Sequence, residues 1–171
     1  RLNREITQDG GYGIAGARSS RPILYQMVDT SAEYEQIALA SSCTENMYFV
    51  YAGDFEDLPG RREKIERAGN LSQIIPKIRE INKNIIQSGS LQEFENALLD
   101  YEHLLSGVME EKTIQQRLFD DFPGVIKPMI SNNSIFLLVT WQGTREELTK
   151  YFARHNWSTL FHWSELIISG K

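Results

Sequence analysis

The sequence predicts an α+β fold: a small, mostly antiparallel N-terminal sheet packed on an antiparallel helical hairpin, with a further buried strand and C-terminal helices. Three observations carry this. Short aromatic and β-branched runs fill the first 53 residues. Two helical apolar stripes then follow each other, joined only by Ser88-Gly89-Ser90. Later, Ile135–Trp141 is a continuous apolar run of strand length, as a strand buried on both faces requires.

Residues 1–22 hold Gly10, Gly11, Gly13 and Gly16 followed by Arg18, Ser19, Ser20 and Arg21, and read as an irregular arm. Ile23–Val28, Tyr34–Ala40 and Met47–Tyr51 carry strand signals, with Ser41–Asn46 expected as a hairpin turn. Asp54–Arg67 is charged but nearly neutral, and Pro59-Gly60 marks a turn within it. From Leu71, the residues Ile74, Ile75, Ile78, Ile81, Ile85 and Ile86 recur at helical spacing, predicting a helix over Ser72–Gln87 with Pro76 inside it or near its start. Ser90 and Glu93 form the sequence pattern of a capping box. Leu91, Phe94, Leu98, Tyr101, Leu105 and Val108 continue as the second stripe. Two helices so closely joined must lie antiparallel. Lys112–Asp121 extends the helical region until Phe122-Pro123-Gly124 stops it. After the polar turn Ser131–Ser134 and the apolar run, Thr144 with Glu146 and Glu147 opens another helix, and residues 158–168 fit either helix or strand.

The 171 residues, 41% hydrophobic and 24% charged, suit one domain spanning 1–171. A net charge of −5 lowers the expectation of bulk nucleic-acid binding. The single cysteine, Cys43, rules out an internal disulfide and a cysteine-based zinc site, and points to a reducing, cytoplasmic setting. No apolar run reaches the length of about 20 residues that spans a bilayer, so no membrane partner is expected. The first residue, Arg1, suggests a domain cut from a larger protein, or a processed product.

Gly11-Tyr12-Gly13-Ile14-Ala15-Gly16 matches G-x-G-x-x-G, but no strand-turn-helix context surrounds it, so no dinucleotide cofactor is expected. His103, His155 and His162 have no metal-ligand spacing, and neither a metal nor any other cofactor is expected. No nucleophile motif is present, and no catalytic residue is assigned. From Leu91 to Asp121 there are eight acids and two bases, including Glu102, Glu110 and Glu111, which read as an acidic face for a basic partner. All three tryptophans fall within Trp141–Trp163, and Trp157, Phe161, His162 and Trp163 are candidate hot-spot residues for a protein partner. The alternative is RNA binding by Lys77, Arg79 and Lys83, or by Lys150 and Arg154 among the aromatics.

Val139–Phe152 resembles the first strand and helix of an RNA-recognition motif, although only 19 residues follow it. Ala68–Gly89 and Tyr151–Ser164 resemble helices of the cap-binding domain of influenza-like polymerase subunits. That resemblance implies a guanine-contacting role for Lys77, but the later strands of that family have no counterpart here. The leading expectation is a non-catalytic protein-interaction or assembly domain of a larger protein or complex. An RNA- or cap-binding domain of a viral polymerase-type protein is the alternative, and an enzyme of unknown class the third reading. A small-molecule substrate is not expected.

Overall fold

Aromatic and β-branched side chains pack well on a pleated surface, and the strands form where they gather. The computed structural model describes residues 22–28, 31–53, 71–131 and 134–166. The G-x-G-x-x-G match, nearly all of the glycine arm, and the charged stretch Asp54–Arg67 lie outside the described residues.

The described residues fall into two compact units. In the smaller, β1 (Ile23–Val28) and β2 (Ser31–Gln36) pair antiparallel, with Tyr25 opposite Tyr34 and Val28 opposite Ser31. The Ile37 N–H donates to the Pro22 carbonyl at 2.8 Å and closes the open end of this ladder. The second strand therefore starts before Tyr34 and stops short of Ala40.

The larger unit, Ala40–Ser164, contains α1 (Ser41–Thr44), β3 (Met47–Gly53), α2 (Leu71–Gln87), α3 (Leu91–Met109), α4 (Ile114–Leu118), β4 (Ile126–Ser131), β5 (Ser134–Thr140), α5 (Arg145–Ala153) and β6 (Leu160–His162). A short helix, α6 (Trp163–Leu166), begins at its end. The strands form one antiparallel sheet in the order β4-β5-β3-β6. The fold class is thus α+β with a helical hairpin, as the sequence predicts, but the turn expected at Ser41–Asn46 is corrected. Ser41–Asn46 is not a hairpin turn, because β3 pairs with β5 and β6 and not with β2. Its small polar side chains bond back onto the local backbone, Asn46 Nδ2 to the Ser42 carbonyl at 2.9 Å and Thr44 Oγ1 to the Ser41 carbonyl at 3.2 Å, which holds one helical turn. Of the segment left open between helix and strand, Leu160–His162 is β6 and Trp163–Leu166 the α6 turn, and its last two residues lie outside the described ones.

β3 and β5 occupy the middle of the sheet because both are apolar on both faces. Tyr48, Val50 and Ala52 share one face with Ile135, Leu137, Val139, Ile126 and Leu160. There they meet Ile114, Phe119 and Phe122 from the α4 region and Leu148 and Phe152 from α5. The other face carries Phe49, Leu138 and Lys127, paired across the strands, with Met47 opposite Thr140. α3 reaches this face at two points. Thr140 Oγ1 donates to Glu95 Oε1 at 2.6 Å, and Lys127 Nζ sits 4.1 Å from the centre of the Tyr101 ring.

β4 carries no clear strand signal because Pro128 lies within it, and proline is confined to sheet edges. The structure puts β4 at the edge. The Thr140 N–H donates to the Val125 carbonyl at 3.0 Å, and the antiparallel alternation then makes Pro128–Leu137 a non-hydrogen-bonded pair. The missing N–H of Pro128 costs this ladder nothing. Gln115 fixes the strand's start, its amide donating to the Gly124 carbonyl at 2.8 Å and accepting from the Ile126 N–H at 2.9 Å.

α2 keeps Pro76 inside the helix. α3 buries Phe94, Ala97, Leu98, Glu102 and Leu105 along one stripe. Its start is capped as the Ser90/Glu93 pattern suggests, with one difference. Ser90 Oγ accepts from the Glu93 N–H at 3.3 Å, but the Glu93 carboxylate reaches back to the N–H of Gly89 at 2.8 Å, one residue before the cap. α1 docks on the same turn through Ser42 Oγ to the Gly89 carbonyl and Cys43 Sγ to the Ser90 carbonyl.

Candidate functional site

The side chains that α3 does not bury define the most distinctive surface of the larger unit. α3 contains four acids, Glu93, Glu95, Asp100 and Glu102, and no lysine or arginine. Glu93 and Asp100 are exposed, as are Glu110 and Glu111 just past its end. Glu102, expected on the acidic surface, is only 2% exposed and belongs to the helix's inner stripe. Glu110 ends the helix in the left-handed region, with φ 56° and ψ 37°.

Clefts open on both flanks of α3. One, of about 340 Å³, lies toward the C-terminal end of α2 and is lined by Asn84, Gln87, Glu93, Asn96 and Asp100. Glu95 is two residues from Glu93, a rotation of about 200°, and lines the cleft on the other flank. That cleft, of about 380 Å³, is completed by Thr140, Trp141, Gly143 and Glu147. A third, of about 500 Å³, brings His103, Lys112 and Asp120 together between α3 and α4.

The walls of the Glu95 cleft are held in place. Thr140 is fully buried; its hydroxyl accepts from the Val125 N–H at 2.9 Å while donating to Glu95. Trp141 stacks on Phe122 with ring centres 5.5 Å apart, and its indole N–H donates to the Thr144 carbonyl at 2.9 Å. Gly143 lies against the indole so closely that a Cβ there would come within 2.7 Å of it. Glu147 closes a reciprocal capping box with Thr144 at the start of α5. The Thr144 N–H and hydroxyl each donate to Glu147 Oε2 at 2.8 Å, and these bonds hold its carboxyl below the usual range. Sequence reasoning missed this site. Glu95 lies off the apolar stripe, and nothing local ties it to Thr140, 45 residues away.

The C-terminal aromatic candidates are each half-buried. Trp157 packs on Phe119 and stacks on Phe152, with centres 5.6 and 6.5 Å away. Trp163 stacks on Phe49 at 6.1 Å, and Phe161 lies opposite Phe49 in the sheet. His162 meets Tyr48 edge-on at 5.0 Å, and its ring nitrogens contact Ser164 Oγ at 2.7 Å and the Glu45 carbonyl at 3.2 Å. These residues lie with the sheet and the α4–α5 core, while Glu110 and Glu111 follow α3. The structure does not gather the two groups into one cluster.

The basic candidates are all exposed but divided. Lys77 and Arg79 are about 200° apart on α2 and so occupy opposite flanks, with Lys83 returning to the flank of Arg79. Lys150 and Arg154 stand on α5, where Lys150 pairs with Glu146 at 2.7 Å. Burial pushes the Cys43 thiol up, and Cys43 is free.

Among the described residues no three His, Cys, Asp or Glu side chains converge as a metal site requires. Among them, too, no helix is long and apolar enough to cross a membrane. No family model, curated protein or solved structure matches the chain.

Proposed function

We propose that this chain is a protein-interaction or assembly domain of a larger protein or complex, and that it binds a basic partner segment through the acidic surface of α3. The observation that carries this reading is the charge asymmetry of one helix: four acids and no lysine or arginine, with carboxylates lining clefts on both flanks. Potentials of one sign attract and orient a partner of the other, chiefly by raising the association rate. Glu93, Asp100, Glu110 and Glu111 form the exposed part of that surface. The half-buried Trp157, Phe161, His162 and Trp163 offer a second contact, with part of each ring packed against its neighbours. Catalysis forms no part of this proposal. The free, buried Cys43 suits a reducing, cytoplasmic setting.

The test is fluorescence anisotropy with labelled hexaarginine and hexaglutamate peptides at low and high salt. Only the basic peptide should bind, with affinity falling as salt rises. Replacing Glu93, Asp100, Glu110 and Glu111 together by glutamine should weaken it by roughly tenfold or more, equivalent to about 1.4 kcal/mol. Equal binding of both peptides, or no binding of either at low salt, refutes the proposal.

A further inference from the structure

We propose that the cleft formed by Glu95, Trp141 and Glu147 receives one cationic side chain, an arginine guanidinium or lysine ammonium, from the protein partner. This deepens the reading above and rests on it. The lining of the cleft suits a cation. Carboxylates stand on two walls, Glu95 from α3 and Glu147 from α5, and an indole forms a third. No lysine or arginine lines the cleft, and among the described residues neither carboxylate forms an ion pair. A cation placed against tryptophan gains from the ring's negative face, and the gain grows as water is excluded. At about 380 Å³ the cleft is at the small end of ligand pockets and has room for one long side chain.

The walls are also preorganised, which lowers the ordering cost of binding. The chain of hydrogen bonds from the Val125 N–H through the Thr140 hydroxyl to Glu95 Oε1 aims that carboxylate. The Thr144 capping box holds Glu147. Phe122, Gly143 and the Thr144 carbonyl hold the indole. Gly143 is required for this, since a Cβ would meet three indole atoms at 2.7–2.8 Å. Planar guanidinium suits the site best, because it stacks on an aromatic face while its N–H groups reach carboxylates at the rim.

The experiment uses the whole chain with an acetylated, amidated triarginine peptide, and spermidine as a non-protein cation of the same charge. Affinity is read by calorimetry, and the Trp141 indole N–H is followed by NMR. The peptide should shift the Trp141 signal and bind more tightly than spermidine. Glu95→Gln keeps an oxygen to accept from Thr140 and removes the charge; it should weaken the peptide roughly tenfold. Trp141→Phe, which retains an aromatic ring against Phe122, should weaken it severalfold. Peptide binding that neither variant alters, with the Trp141 signal unmoved, overturns the cleft and leaves the broader acidic-surface reading standing. Spermidine binding the more tightly overturns the assignment to a protein side chain. No binding of either cation overturns both readings.

Discussion

Replacing Thr140 by valine tests whether one buried hydroxyl ties the helical hairpin to the sheet. Thr140 is 0% exposed, and valine fills nearly the same volume, so the change isolates the hydroxyl. The lost bond to Glu95 is short, 2.6 Å, and charge-assisted, worth about 1.5–3 kcal/mol. The Val125 N–H, which donates to the hydroxyl at 2.9 Å, would be left buried without an acceptor, a further cost of about 1–3 kcal/mol. Glu95 is only half-buried and regains water, and the added methyl returns about 0.8 kcal/mol. The net loss is about 2–4 kcal/mol, a fall in melting temperature of roughly 5–15 °C for a chain of this length. Thr140→Ser keeps both hydrogen bonds and should lose only about 1 kcal/mol. Thermal and urea denaturation of both variants, with a double-mutant cycle against Glu95→Ala, measure the coupling directly. A valine variant as stable as the serine one, or a coupling energy near zero, would refute the reasoning.

Three further outcomes follow from backbone geometry and charge. Glu110→Gly should raise stability by up to about 1 kcal/mol in urea denaturation, because a left-handed φ of 56° strains a residue with a Cβ and not glycine. Gly124→Ala should destabilise by about 3 kcal/mol or more, since its Cβ would lie 2.0 Å from the Thr140 carbonyl oxygen, a backbone atom that cannot swing away; circular dichroism melts report it. Glu147 has its folded pKa lowered by the Thr144 hydrogen bonds, so its ionised form contributes stability that is present above the usual glutamate value of about 4.3 and is lost as pH falls through the lower folded value. The stability difference between the wild type and Glu147→Gln should therefore be present at neutral pH and shrink below about pH 4, as denaturation across pH 2–7 would show.

What the sequence made legible, and what it did not, divides along the range of the interactions. Helices report themselves locally. The isoleucine spacing marked α2, Ser90 marked the start of α3, and Thr144 with Glu146 and Glu147 marked α5, because caps and stripes are set by neighbours three and four residues apart. A strand's partner is not set that way. β3 carries strand chemistry throughout, yet nothing within it says that it will lie between β5 and β6 and leave β2 behind. What does separate them is the unbroken apolar character of Met47–Val50, which a two-stranded ribbon could not cover on both faces. β4 escaped for the opposite reason: Pro128 argues against a strand everywhere except at a non-hydrogen-bonded edge position, and that position exists only once β5 is in place.

The same division explains the site. Glu102 stood in the sequence as one acid among eight, but it follows Leu98 by four and precedes Leu105 by three, which puts it on the buried stripe by the rule that identified the stripe. Helical position should therefore have outranked residue type at Glu102. Glu95 is the converse case. Two residues from Glu93 and turned to the other flank, it looks like a solvated acid until the sheet brings the Thr140 hydroxyl to within 2.6 Å. An acidic helix read only as a charged exterior misses that its carboxylates do different work: Glu102 is buried in the stripe, Glu95 is bonded to the sheet, Glu93 accepts from the Gly89 N–H at the helix start, and Asp100 is exposed. The Thr140→Val and Glu95→Gln variants separate these roles, because the first removes the tether and keeps the charge, while the second removes the charge and keeps an acceptor for the tether. If partner affinity follows Glu95→Gln and stability follows Thr140→Val, the tether and the binding surface are distinct functions of one side chain.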